Sequence, residues 1–190
     1  MSFSVPGNFF CQFKTGDNIK YNLATLSYLY EVYETATPAN RSKLIKPIVL
    51  IEISIIEAIL HDFHFRIRAN VYEGVTGLAI SVADYMKGKK IDELGSYIDS
   101  AKKHDFFTEP DSNFYERLGE LRKIRNRIHI QNTKRYKPVN EVSVFTEAVK
   151  KSSEKCLEKV VKTISQNHPR PESVGDYVGD LVFPWDEYLV

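Results

Sequence analysis

The stretch 44-LIKPIVLIEISIIEAIL-60 decides the fold. Its apolar residues surround most of a helix instead of forming one stripe, the pattern of a helix buried on nearly every side. Its length and the charges of Lys46, Glu52 and Glu57 that break it argue for a buried helix over a membrane span, so it reads as the central helix of a bundle, continuing to about Arg68. Pro47 marks either its first turn or a kink within it.

On its N-terminal side, Leu23, Leu26, Tyr30 and Tyr33 recur at helical spacing. They predict a helix from about Ile19 to Thr35, capped by Asp17 or Asn18 and ended by Thr37-Pro38. Residues 1–17 are expected to be irregular, closing the core with Phe9, Phe10 and Phe13. Beyond Asn70 the pattern weakens. Gly74 and Gly77 suggest a loop, followed by a short helix near Ile80–Met86. Leu94, Tyr97, Ile98 and Ala101 define the inner face of a helix from Ile91 to Lys103.

The turn residues Pro110-Asp111-Ser112-Asn113 open a helix expected to run to Gln131. Asn140 is placed to cap a last helix from Glu141 to about Gln166, with Phe145, Val149, Cys156, Val160 and Ile164 as its stripe. The tail 168–190 is rich in proline and glycine and is expected to be irregular, anchored by Trp185. These elements predict an all-α bundle of about five helices in one domain, its core spanning residues 19–167.

The bulk composition excludes more than it selects. A formal charge of +1 over 190 residues does not mark a protein coated for DNA. The charge is unevenly placed. From Tyr115 to Lys137 there are eight Lys or Arg against two Glu, leaving the remainder net acidic. Such a segment suits a localised anionic partner. Cys11 and Cys156 fit no metal-ligand spacing and read as reduced thiols, and the N-terminus lacks a signal-peptide pattern, so a cytoplasmic location is expected. EGVTG (73–77) has no phosphate-loop context, and no Ser or Cys nucleophile has a local signature.

The basic segment centres on 121-LRKIRNRIHIQN-132. On a helix of about 100° per residue, with Arg122 as zero, Arg125 falls near 300°, His129 near 340° and Asn126 near 40°. Leu121, Ile124 and Ile128 occupy the adjoining apolar face. Lys123 and Arg127 point elsewhere, as solvated charges. A histidine exchanges protons near neutrality, a guanidinium binds phosphate through paired hydrogen bonds, and an asparagine orients either without adding charge. Together these groups suit metal-free cleavage of RNA: activate the 2′-hydroxyl, hold the phosphate, protonate the leaving oxygen. One histidine does not readily act as both acid and base; two copies facing each other across a dimer supply both. The competing reading is a solvated cationic helix face.

The string Leu121-Arg122-x-x-Arg125-Asn126-Arg127-Ile128-His129 resembles the signature of HEPN domains, the higher-eukaryote and prokaryote nucleotide-binding superfamily: an arginine, a short spacer and a histidine on a late helix. The plan around it, including the early Ile-Glu-Ala-Ile-Leu run (56–60), is similar over residues 19–167. Arg122 has six residues before His129 but is followed by Lys123. Arg125 has the expected Asn126 but three residues before His129, so either arginine fits the phosphate role. The resemblance implies a metal-independent endoribonuclease of the toxin–antitoxin or phage-defence kind, without cofactor. His129 would be its acid or base, with Arg122, Arg125 and Asn126 at the phosphate. Lys123, Arg127, Lys134 and Arg135 would contact RNA, two copies would form the site, and an antitoxin protein is a further partner. It equally admits a non-catalytic module that binds a protein or nucleic acid.

A second constellation, Glu57, His61 and His64, has i, i+4, i+7 spacing and offers a carboxylate and two imidazoles to zinc or iron. No second Glu-x-x-His follows, and no metal is expected. The alternatives are a Glu57–His61 hydrogen bond with Asp62 solvated, or a Glu57 that orients an arginine of the Arg–His arc.

Overall fold

The computed structural model describes residues 2–69, 75–107, 113–129, 140–174 and 178–188. Six α-helices stand among them: α1 (Phe13–Thr35), α2 (Pro38–Ala69), α3 (Ile80–Lys87), α4 (Leu94–His104), α5 (Asn113–Arg125) and α6 (Glu147–Asn167). A short antiparallel pair, β1 (Phe3–Val5) and β2 (Leu181–Phe183), joins the two ends of the chain. The all-α class predicted by the apolar periodicities holds. The turn at 110–112 and the loop around Pro138 lie outside the described residues, as does Gly74.

Helix α2 is central because its apolar residues leave it no polar side of any width. Ile45, Ile48, Val49, Ile53, Ile55, Ile56, Ile59, Leu60, Phe63 and Ile67 are all buried, and α1, α3, α4, α5 and α6 pack around them. Pro38 occupies the first helical position, where its missing N–H costs nothing. Pro47 lies inside the helix, so the first-turn alternative is excluded. No helix among the described residues is long and apolar enough to cross a membrane.

Several boundaries differ from the sequence reading, among them the start of α4 at Leu94 instead of Ile91. Helix α1 begins at Phe13, a turn and a half before Ile19, and neither Asp17 nor Asn18 caps it. The carboxylate of Asp62, on α2, accepts from the backbone N–H of Cys11 (2.9 Å) and Gln12 (3.0 Å), satisfying donors at this entry from across the bundle. Asp62 is therefore fully buried instead of solvated. Phe9 and Phe10 close the core as expected, whereas Phe13 is exposed on the first turn of α1.

The tail is not irregular throughout. Leu181 and Phe183 point inward and Val182 outward, the period-two pattern of a half-buried strand. β2 pairs in the register Phe3↔Phe183, Ser4↔Val182, Val5↔Leu181. Phe3 stacks on Phe183 at 4.8 Å, and Trp185 packs beside both, buried as its anchoring role requires. Gly16 admits this tail, since a β-carbon there would overlap the side chain of Val178.

At the other end of the core, Asn140 caps a 3-10 turn, Glu141–Ser143, by accepting from Val142 N. α6 itself starts at Glu147, where Thr146 accepts from Val149 N. The predicted stripe Cys156, Val160 and Ile164 is buried against α2, with Phe145 packed just before the helix.

Candidate functional site

Phe114, Leu118, Leu121 and Ile124 recur at i, i+4, i+7 and i+10 and seat α5 on the bundle. This leaves Arg122 exposed and Arg125 partly so, as i, i+3 neighbours on one side of the helix. The three bases Arg122, Lys123 and Arg125 fall in the last turn, where the helix macrodipole favours cations by about 0.3–1 kcal/mol each. Part of the positive charge thus has a structural reason.

The expected continuation to Gln131 does not occur among the described residues. After Arg125 the backbone tightens into a 3-10 turn, Asn126–Ile128, and His129 is extended at φ −84°, ψ 100°. A 3-10 turn advances about 120° per residue, so side chains beyond Arg125 leave the α-helical wheel. Arg127 is consequently buried at 5% exposure instead of solvated, and Ile128 is 57% exposed instead of apolar-face. His129 is exposed beyond the turn, with Asn126 half-buried at its start. Arg122, Arg125, Asn126 and His129 stay at one exposed end of α5, but the last two are carried by the turn and not by a continuous helical face. Lys134 and Arg135 lie outside the described residues.

Two contacts fix the arginines differently. Arg125 Nη2 meets Glu57 Oε2 at 2.6 Å, so a carboxylate of α2 orients the guanidinium. This realises the third reading of Glu57, and the expected Glu57–His61 hydrogen bond is absent among the described residues. The pair is partly solvent-exposed, so its value lies in positioning more than stability. Arg122 lies across the first turn of α4, over Gly95, and has no hydrogen-bond or ion-pair partner among the described residues. A β-carbon at Gly95 would collide with Nη1 and stand 3.1 Å from Cζ. Lys123 pairs with Glu120 at 2.6 Å along the same helix.

Gly95→Ala separates stability from function. The colliding atoms belong to a flexible side chain, and alanine favours a helix over glycine by about 1 kcal/mol. The melting temperature should hold or rise, and if Arg122 holds phosphate, as proposed below, its displacement should weaken RNA binding by roughly tenfold or more, the worth of one charged hydrogen bond. A melting temperature that collapses, or unchanged RNA affinity, would contradict this role for Arg122.

The Glu57, His61, His64 constellation does not converge. His61 is exposed, but His64 is buried between Tyr97 and Phe106, its Nδ1 hydrogen-bonded at 2.7 Å to Leu60 O. Burial pushes the His64 imidazole down to about 4, so it is neutral at physiological pH. No group of three His, Cys, Asp or Glu among the described residues could hold a metal ion.

A second polar cluster lies inside the bundle and escaped the sequence reading. Glu52 on α2 and Glu154 on α6 are both buried. Tyr30 OH bridges them, 2.9 Å from Glu52 Oε1 and in contact with Glu154 Oε1. Ser153 Oγ meets the second oxygen of Glu52, Tyr188 OH meets the second oxygen of Glu154, and Lys150 Nζ lies 2.7 Å from Glu154. One Tyr30 hydroxyl proton cannot serve two carboxylates. Glu52 therefore holds a proton of its own, in agreement with burial pushing it up to about 8. The available signal is a lone acid within the apolar run Leu50-Ile51-Glu52-Ile53, where a carboxyl has to be paired or protonated to be buried.

Comparison of the chain with protein-family models, curated proteins and solved structures returns no match.

Proposed function

We propose that this protein is a metal-independent endoribonuclease of the HEPN kind, working as a cytoplasmic homodimer. The observation that carries the reading is a pair of guanidiniums, one oriented by Glu57 and one with open donors, at the same exposed helix end as the imidazole of His129. In this scheme Arg122 and Arg125 hold the scissile phosphate, and Asn126 orients the groups around it. The neutral imidazole of His129 from one copy removes the 2′-hydroxyl proton. The 2′-oxygen attacks phosphorus, the bond to the 5′-oxygen breaks, and the protonated imidazole of the other copy gives its proton to that leaving oxygen. The products are a 2′,3′-cyclic phosphate and a 5′-hydroxyl. Lys123, Lys134 and Arg135 extend the contact with the RNA backbone, whereas the buried Arg127 does not reach it, and an antitoxin protein covering the cleft is a natural regulator of such an activity.

One observation favours the second reading, a non-catalytic module that binds a protein or nucleic acid through the same end. His129 stands past a 3-10 turn, off the face that carries the arginines. Incubation with single-stranded RNA in EDTA separates the two. Wild type should leave 2′,3′-cyclic ends, and His129→Ala should retain binding without cutting. The paired-site scheme also requires a sedimentation mass near twice 21.9 kDa; a strict monomer at micromolar concentration rules it out.

A further inference from the structure

We infer that residues 184–188 are a proton-controlled strap, closed over the buried Glu52–Tyr30–Glu154 cluster while Glu52 keeps its proton and let go when that proton leaves. The inference stands apart from the ribonuclease reading. Trp185 is buried with its ring 5.6 Å from that of Tyr30, and Tyr188 OH reaches Glu154 Oε2 at 2.5 Å. The strap is therefore a wall of the cluster. The other walls are α1, which brings Tyr30, α2, which brings Glu52, and α6, which brings Lys150, Ser153 and Glu154.

Charge balance couples the strap to the proton. Lys150 is the cation that faces the cluster, its Nζ 2.7 Å from Glu154 Oε1 and 4.6 Å from the centre of the Tyr30 ring. With Glu52 protonated, Glu154 and Lys150 cancel. The Glu52 proton fits between Oε1 and the Tyr30 oxygen, Tyr30 donates to Glu154, and Tyr188 donates to the second oxygen of Glu154. When Glu52 ionises, the cluster gains a second carboxylate charge without a second cation, and two buried carboxylates compete for one Tyr30 proton. Water relieves such a charge. The wall that water displaces most easily is the strap, because α1, α2 and α6 are helices of 23, 32 and 21 residues, whereas residues 184–188 form neither helix nor strand.

The remaining polar contacts of the strap do not touch Glu52. Tyr188 N donates to Glu158 Oε2 at 3.1 Å, Lys162 meets Glu187 at 2.5 Å and Glu158 at 2.6 Å, and Lys155 Nζ lies over the Tyr188 ring at 5.1 Å. The effect of the proton thus reaches the strap through Tyr30 and Glu154. Burial raises the Glu52 carboxyl to about 8 while the strap is closed. Closure is then firmest at low pH, weakens as pH rises towards 8, and weakens little further above it.

Chymotrypsin cutting after Trp185 in the full chain, read by mass spectrometry, tests this, because the rate follows the population of the released strap. Each rate is divided by that of a free peptide of residues 178–190 at the same pH, which removes the protease's own pH dependence. Protection of the wild type should fall by roughly tenfold between pH 6.5 and pH 8 and change little from pH 8 to pH 9. Glu52→Gln should keep its pH 6.5 protection throughout. Tyr188→Phe, which lacks the hydroxyl on Glu154, should be less protected by roughly tenfold already at pH 6.5. Constant wild-type protection, a fall that Glu52→Gln shares, or full protection in Tyr188→Phe overturns the strap. So does cutting of α2 and α6 at the same rate as the tail, since the whole fold would then be opening.

Discussion

Glu52→Gln is expected to stabilise the protein at pH 8.5 by about 3–5 kcal/mol and to do almost nothing at pH 4.5. Glu52 is fully buried, and burial raises its carboxyl from the ordinary 4.5 to about 8 against the opposing hydrogen bond from Ser153. The nearby charge of Glu154 pushes in the same direction as burial. The folded chain thus keeps a proton that the unfolded chain releases above 4.5. Stability held by the neutral carboxyl is complete below pH 4.5, declines as pH rises towards 8, and stays low above it. Glutamine matches the neutral acid in shape and supplies the same kind of donor, so it removes this slope while Glu154 keeps its ion pair with Lys150. Urea midpoints of both proteins at the two pH values measure the effect. Parallel curves, with the same difference at both, would mean that Glu52 is not the proton holder.

The second large effect concerns Asp62 and Arg66. Arg66 is fully buried, and its guanidinium donates to Phe9 O (3.0 Å), His168 O (2.8 Å) and Pro169 O (3.3 Å). One turn earlier, Asp62 holds the backbone of Cys11 and Gln12. Burial raises the Asp62 carboxyl, and its hydrogen bonds and the Arg66 charge oppose that rise. Together the two side chains fasten the N-terminal segment and the exit of α6 to the central helix. Asp62→Ala leaves a buried cation without its counter-charge and two N–H groups without acceptors, a loss of about 3–5 kcal/mol. Arg66→Met strands the carboxylate in turn. The double variant should lose less than the sum of the singles by at least about 1 kcal/mol. Additive losses in urea titrations would show that the two side chains act separately.

Much of the fold was legible because it depends on local patterns. The all-round apolar run of α2, the Leu23–Tyr33 stripe of α1 and the Leu94–Ala101 stripe of α4 each state their own burial. What remained hidden depends on partners distant in sequence. The start of α1 is set by a carboxylate fifty residues further along the chain. β1 and β2 are three residues each, and each becomes a strand only against the other. At the candidate site, the Arg122–Arg125 spacing was readable from the helical repeat, whereas Glu57 as the partner of an arginine was one of three alternatives, chosen only by the meeting of α2 and α5. The helix end at Arg125 was not, because bases and isoleucines continue through 126–130 with an unchanged rhythm. That end turned Arg127 inward and Ile128 outward. Glu52 and Glu154 were visible only as single acids, since their contact through Tyr30 exists only where α2 and α6 meet that side chain.

The most direct test of the proposed chemistry is the rate at which purified wild type and His129→Ala cut a panel of single-stranded RNAs in EDTA. Wild type is expected to produce 2′,3′-cyclic phosphate ends, and the variant to be slower by about 10²–10⁴-fold, the usual share of a general acid or base, with RNA affinity retained. Equal rates for the two proteins, whether both inert or both active, would contradict it.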